Sequence, residues 1–171
     1  MALLILMILI LILQISTPKD LPKSIDYTLA IIIILAMALG TAMIKTGLAE
    51  IIAQFIVKVF IPLGPIGLLA GIFIITNLLA SYITTKAAAA IIFPISVTAA
   101  IQLGLPTMPF VLIVGYGAAA NFITPIGYQT NLMVYGPGGY NFKDYMKIGL
   151  PLTVIYGVVA VYSLGWYYNL L

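Results

Sequence analysis

Tyr27 to Ile44 reads YTLAIIIILAMALGTAMI, an uncharged apolar run. It is close to the roughly 20 residues that a helix needs to cross the hydrocarbon core of a bilayer. The run is not an isolated patch. Of the 171 residues, 64% are hydrophobic and 6% are charged, whereas soluble domains carry about 25% charged residues. The sequence therefore predicts an all-α integral membrane protein with room for about five or six membrane segments and no soluble domain.

The few charges exclude whole classes of function. Seven lysines stand against four acidic residues, for a net charge of +3 and no histidine. That charge is too small and too scattered for nucleic acid, and the lysines are better placed to orient the chain in a membrane. Without cysteine there is no disulfide framework or thiolate metal site, and without histidine there is no imidazole ligand or base. The acids fall in connectors or at the interface rather than facing each other on spanning helices. The chain is thus read as no enzyme and as needing no cofactor, with sodium left open as a coupling ion.

Along the chain, Met1–Ile15 is apolar but lacks a basic leader and an Ala-x-Ala cleavage site, so a retained span is expected over about 2–15. TPKDLPKSID is a polar connector. The span at 27–44 ends at KTGLAE, where Gly47 is a helix stop. In LAEIIAQFIVKVFIP, the four-residue spacing of Glu50, Gln54 and Lys58 puts polar groups on one helical face. This predicts an interfacial helix over about 48–60, with a tilted span and a snorkelling Lys58 as the alternative.

From about 65 to 103, two apolar arms flank the polar tip SYITTK, which predicts a re-entrant helical hairpin; two ordinary spans are the alternative. Gly67, Gly71 and the Ala87–Ala90 run are small surfaces for close helix packing. A broken helix follows over about 107–135, and a last span over about 148–168 ends in the interfacial Trp166, Tyr167 and Tyr168. The lysine-bearing loops 16–26 and 136–147 lie on one side, cytoplasmic by the positive-inside rule, in a bacterial-type plasma membrane.

The polarity is concentrated in AAANFITPIGYQTN, residues 118–131. In hydrocarbon every backbone N–H and C=O must be bonded within the protein or face a wet cavity. Pro125 removes a donor, and Gly127 frees the backbone to turn, so Thr124-Pro125-Ile126-Gly127 predicts an unwound segment at membrane depth. Carbonyls freed there suit a cation, and N–H groups at the start of the following half-helix suit an anion. Asn121, Thr124, Thr130 and Asn131 add neutral oxygens and amide donors. A proline-kinked helix bonded to its neighbours is the structural alternative.

The hairpin tip is the second polar break. Thr84 and Thr85 stand just before the second arm, where hydroxyls cap a helix or bind solute, capping being the commoner role. Lys86 is costly at membrane depth and disfavoured at a helix N-terminus. An anionic substrate would relieve both penalties, and a shallow, solvent-facing turn would avoid them.

SIDYTLAIIIILAMALGTAMIKTGLAE, TTKAAAAIIFPI and, most specifically, NFITPIGYQTNLMVYGPGGYNFKDYMKIGLP resemble the divalent anion:sodium symporter family of dicarboxylate, citrate and sulfate carriers. The resemblance implies an elevator-type transporter of two inverted repeats, of which this chain is similar to the C-terminal one. It implies substrate and ion binding by Thr84, Thr85, Lys86, Asn121, Thr124, Pro125, Gly127 and Asn131, with a sodium site drawn from Thr84, Thr85, Asn121 and Thr124. Lys86 stands where the family carries a small neutral residue, so its charge replaces bound sodium or repels it.

The expected function is secondary active transport of a small anion, as half of a transporter. The implied partners are membrane lipid, that anion, and a second repeat or a homo-oligomer. A truncated, non-transporting membrane fragment or subunit is the alternative. A cation channel, suggested by IVGYG at 113–117, is the weaker one, because Ile113 stands where a potassium filter has threonine.

Overall fold

A computed structural model describes residues 27–170. Contacts divide the chain into two compact units, Met1–Leu35 and Ala36–Leu171. In the first unit the described residues are helical, with Ile31, Ile34 and Leu35 exposed. The expected span at 2–15 and the 16–26 loop lie outside the described residues. All described regular structure is helical.

The first helix, α1, spans Tyr27–Lys45. It stops where glycine permits a left-handed turn: Gly47 has φ 74°, and the Thr46 hydroxyl donates to the Ala42 carbonyl at 2.8 Å. Helix α2, Leu48–Phe60, buries Ala49, Ala53 and Ile56 on one face, which packs toward the helix at 85–102. Glu50, Gln54 and Lys58 are exposed on another face, and Ile51, Phe55 and Val59 are exposed between the two. Such a division suits a helix with one face on protein, one in lipid and one in water.

A 3-10 turn, Ile61–Leu63, and Gly64 at φ 76° then redirect the chain. Phe60 folds against Gly71 so closely that a Cβ there would lie 2.5 Å from the ring. Helix α3, Gly64–Tyr82, buries ten residues spread around its surface, including Leu68, Leu69, Ile72, Phe73, Thr76 and Asn77. It packs on α4 (Thr85–Gln102), α5 (Thr107–Ala119) and α7 (Phe142–Tyr167). Helix α4 contains Pro94, and its Ser96 hydroxyl donates to the Phe110 carbonyl of α5 at 2.8 Å.

The α3–α4 pair is a helical hairpin joined by Ile83 and Thr84 alone. Its arms are longer than the apolar runs suggest, because Ser81 and Tyr82 extend one helix while Thr85 and Lys86 begin the next. At 1.5 Å per residue each arm is roughly 28 Å long, close to the thickness of the hydrocarbon core. Among the described residues, Leu48–Tyr82, Thr85–Gln102 and Phe142–Tyr167 are long and apolar enough to cross a membrane.

Past α5 the chain is irregular from Ala120 to Tyr128. It then forms the short α6, Gln129–Tyr135, and turns through Gly136–Tyr140 into α7. Helix α7 begins at Phe142, ahead of the apolar run at 148. The Asp144 carboxylate accepts from the Asn141 N–H at 2.8 Å and draws the amphipathic YNFKDYMK into the first turns.

Candidate functional site

Helix α5 ends at Ala119, and the next residues turn tightly: the Asn121 N–H donates to the Ala119 carbonyl at 2.8 Å, and the Phe122 N–H to the Ala120 carbonyl at 3.0 Å. The last carbonyls of a helix have no partner within it, and a buried carbonyl left unpaired is costly. Asn77, reaching across from α3, resolves the problem. Its Nδ2 donates to the carbonyls of Gly117 at 3.2 Å and Ala120 at 2.5 Å.

The break does the same for α3. Asn121 Nδ2 donates to the Ala80 carbonyl at 3.0 Å, and the Thr124 hydroxyl donates to the Ser81 carbonyl at 2.7 Å. The two helix ends thus cap each other through side chains. Thr124 Oγ1 also accepts from the Gly127 N–H at 3.3 Å. The Asn131 Nδ2 of α6 holds the carbonyls of Asn121 at 2.9 Å and Thr124 at 3.2 Å, and its own carbonyl accepts from the Tyr145 hydroxyl of α7 at 2.9 Å.

Close packing seals this arrangement. Gly127 lies directly against the Asn121 amide, where any side chain would collide, and Gly149 of α7 lies as tightly against the Phe122 carbonyl. Gly117 lies against α3: a Cβ there would be 3.0 Å from the Phe73 carbonyl. The Phe122 ring meets Tyr156 edge-on at 5.9 Å. Asn121 and Thr124 are only 3% and 2% exposed, and Pro125 and Gly127 are buried as well.

One buried polar atom in the site has no hydrogen-bond partner among the described residues. Because the Ala80 carbonyl can only accept, the amide orientation of Asn121 is fixed with Nδ2 toward it, and Oδ1 is left buried without a hydrogen bond. Buried polar atoms are rarely left so. An oxygen with free lone pairs beside unwound carbonyls suits a cation or a donor from a ligand. Among the described residues no cluster of His, Cys, Asp or Glu could hold a metal ion, so any ion here would rest on neutral oxygens.

The residues expected from the sequence separate into two groups. Asn121, Thr124, Pro125, Gly127 and Asn131 come together in the break. Thr84 caps α4, its hydroxyl accepting from the Ala87 N–H at 3.2 Å; it and Lys86 are exposed, and Thr85 is half-buried. The hairpin enters the break through the Ala80 and Ser81 carbonyls, three to four residues before Thr84. Sequence reasoning missed Asn77, Tyr145 and Gly149. Asn77 carried a signal: an asparagine inside the apolar run FIITNLLAS is expensive unless it bonds to a neighbouring helix.

Residues 1–170 match the protein family described as citrate transporter. The chain is 37% identical over 138 residues to an uncharacterized transporter of Synechocystis, covering 81% of this chain and 22% of that protein. It is 33% identical over 150 residues to sodium/sulfate cotransporter 1 of Chlamydomonas reinhardtii, covering 85% of this chain and 17% of the relative. An uncharacterized transporter of Escherichia coli is 32% identical over 139 residues, 81% of this chain and 23% of its own length. The chain therefore spans about a quarter or less of each of these relatives.

Proposed function

The chain belongs to the citrate transporter family, and from that premise we propose that it is half of a secondary transporter for a small oxyanion such as a dicarboxylate, citrate or sulfate. In this reading the chain sits in a bacterial-type plasma membrane. A second repeat, from a longer polypeptide or another copy, supplies the other half of the site, and the two halves alternate by an elevator motion. Thr84, Thr85, Lys86, Asn121, Thr124, Pro125, Gly127 and Asn131 line this half. The observation that carries the proposal is the buried break, latched to the hairpin end by Asn77, Asn121 and Thr124 while leaving Asn121 Oδ1 unpaired. A helix interrupted here, with the carbonyls of Gly117, Ala120, Asn121 and Thr124 held by side chains, supports an ordered polar site rather than a simple kink.

Sodium is the coupling ion in this reading, as the names of several relatives suggest for those proteins. Its oxygens come from Asn121 and Thr124, with Thr84 and Thr85 from the tip. The Thr84 hydroxyl already accepts from Ala87, which leaves it one further lone pair. Lys86, exposed at the tip, supplies the positive charge that draws the anion and takes over part of the role of a bound cation.

The test is uptake of labelled succinate, citrate and sulfate into vesicles that contain the chain together with a co-expressed N-terminal repeat, with and without a sodium gradient. Saturable uptake of one anion is expected. No uptake of any of the three, from correctly inserted protein, leaves the rival reading of a non-transporting membrane fragment.

A further inference from the structure

Helix α6 cannot hold its place by itself. It has seven residues, buries none of them, and no helix packs along it among the described residues. A helix so short depends on outside contacts to stay formed. Yet Asn131, in its middle, donates to the Asn121 carbonyl at 2.9 Å and to the Thr124 carbonyl at 3.2 Å. That amide stays aimed at the break only while α6 is fixed.

Tyr145 fixes it. From Phe142 to Ile148, Tyr145 is half-buried while its neighbours are exposed. It lies one turn before Gly149 on the same face of α7, and Gly149 abuts the Phe122 carbonyl of the break. The Tyr145 hydroxyl donates to the main-chain carbonyl of Asn131 at 2.9 Å. Its ring is held by two others: Tyr135, at the end of α6, lies 6.1 Å away, and Tyr140 meets it edge-on at 6.1 Å. Both distances fall in the range of favourable aromatic pairs. Gly138 lies against the Tyr140 ring, where a side chain would collide, and Gly139 turns at φ 63°. The segment YGPGGY thus folds Tyr140 back onto Tyr145.

A chain of bonds then runs from this hydroxyl to the unpaired oxygen. Tyr145 grips the backbone of Asn131, and the side chain of Asn131 grips the carbonyls of Asn121 and Thr124. Asn121 is pinned twice, at its main-chain carbonyl by Asn131 and at its amide nitrogen by the Ala80 carbonyl. Those two bonds set the direction of its orphaned Oδ1.

Taking the break as an ion site, we propose that Tyr145 is a positioning residue for it, acting through Asn131 without touching the ion. Without the hydroxyl, α6 is free to shift, Asn131 lets go of the two carbonyls, and Asn121 can turn. The ion then meets oxygens that must be reordered as it binds, which lowers affinity while the fold survives.

The purified full chain is unfolded by heat over a series of sodium chloride concentrations, with choline chloride holding the ionic strength constant. The midpoint in choline chloride alone reads the fold, and its climb with sodium gives the sodium dissociation constant. Tyr145→Phe keeps the ring and its aromatic neighbours but removes the donor. It should raise that constant about fivefold, the worth of one such bond. Tyr162→Phe, which removes an exposed hydroxyl further along the same helix, should leave it unchanged. In an Asn131→Ala background, Tyr145→Phe should do nothing more to the constant, since the side chain it acts through is gone. A purely structural loss lowers every midpoint equally and leaves the sodium constant where it was; that result overturns the proposal. So does a Tyr145→Phe effect that persists undiminished in Asn131→Ala. Both of those outcomes leave the ion site standing. An unmutated protein whose midpoint ignores sodium overturns the ion reading of the break, and the role of Tyr145 with it.

Discussion

Asn77 in α3 and Ala120 past the end of α5 are joined by a 2.5 Å hydrogen bond across 43 residues of sequence. A polar side chain in the middle of one apolar helix thereby terminates another. Asn121 and Thr124 return the favour at Ala80 and Ser81, so the hairpin end and the broken helix form one unit. Neither can straighten without orphaning carbonyls of the other, and that mutual dependence holds an irregular segment in place.

Asn77→Leu should therefore destabilise the protein well beyond the loss of one contact. The leucine fits the apolar surroundings but leaves the Gly117 and Ala120 carbonyls without their donor. Interhelical bonds in membranes are worth roughly 0.6–2 kcal/mol each, so a loss of about 1–4 kcal/mol is expected. A clear fall in the thermal unfolding midpoint of the purified chain in detergent checks it, and an unchanged midpoint would show that the latch is dispensable.

Gly127→Ala and Gly115→Ala make a matched pair. A methyl at Gly127 would run into the Asn121 amide, whereas at Gly115 nothing lies within 4 Å. Overpacking at a closed site costs about 1–3 kcal/mol, while alanine in an open helical position gains up to about 1 kcal/mol. Gly127→Ala should lower both stability and anion uptake, and Gly115→Ala neither. Equal behaviour of the two would mean that the contact with Asn121 is not what requires glycine.

Much of this architecture was legible in the residues. Gly47 announced the end of α1, Thr84 the cap of α4, and Thr124-Pro125-Ile126-Gly127 the interruption after α5, because backbone constraints act locally and leave local marks. The latch was not legible. Which carbonyls Asn121 and Thr124 would serve depends on α3 lying alongside, some forty residues away, and nothing near 121 encodes that. The helix limits slipped for a related reason: polar residues at the tip and in YNFKDYMK looked like linkers, yet they bond to the first or last turn and so extend the helices. The membrane class itself followed from composition, since bilayer insertion responds to summed hydropathy rather than to any one residue.

Lys86→Asn should change coupling without changing the fold. Lys86 is exposed in the first turn of α4, two residues past the Thr84 cap, where the helix dipole disfavours a lysine by about 0.3–1 kcal/mol. If its charge takes over part of the role of a cation, removing it should make uptake depend more steeply on the sodium gradient while the unfolding midpoint stays in place or rises slightly. Identical sodium dependence in the two proteins would remove Lys86 from the coupling scheme.

Asn121→Leu and Asn121→Asp separate the two ends of one amide. Both lose the donor to the Ala80 carbonyl, so both should unfold at lower temperature than the unmutated chain. Only the aspartate retains an oxygen where Oδ1 lies unpaired. A cation held there stabilises the folded state in proportion to its occupancy. The unmutated chain and Asn121→Asp should therefore unfold at a higher temperature in sodium chloride than in choline chloride, and Asn121→Leu should show no difference between the salts. The measurement needs no partner repeat or transported anion, since it reads the ion on this half alone. A sodium effect that survives in Asn121→Leu would place the cation elsewhere and leave the orphaned oxygen to a water or to the substrate.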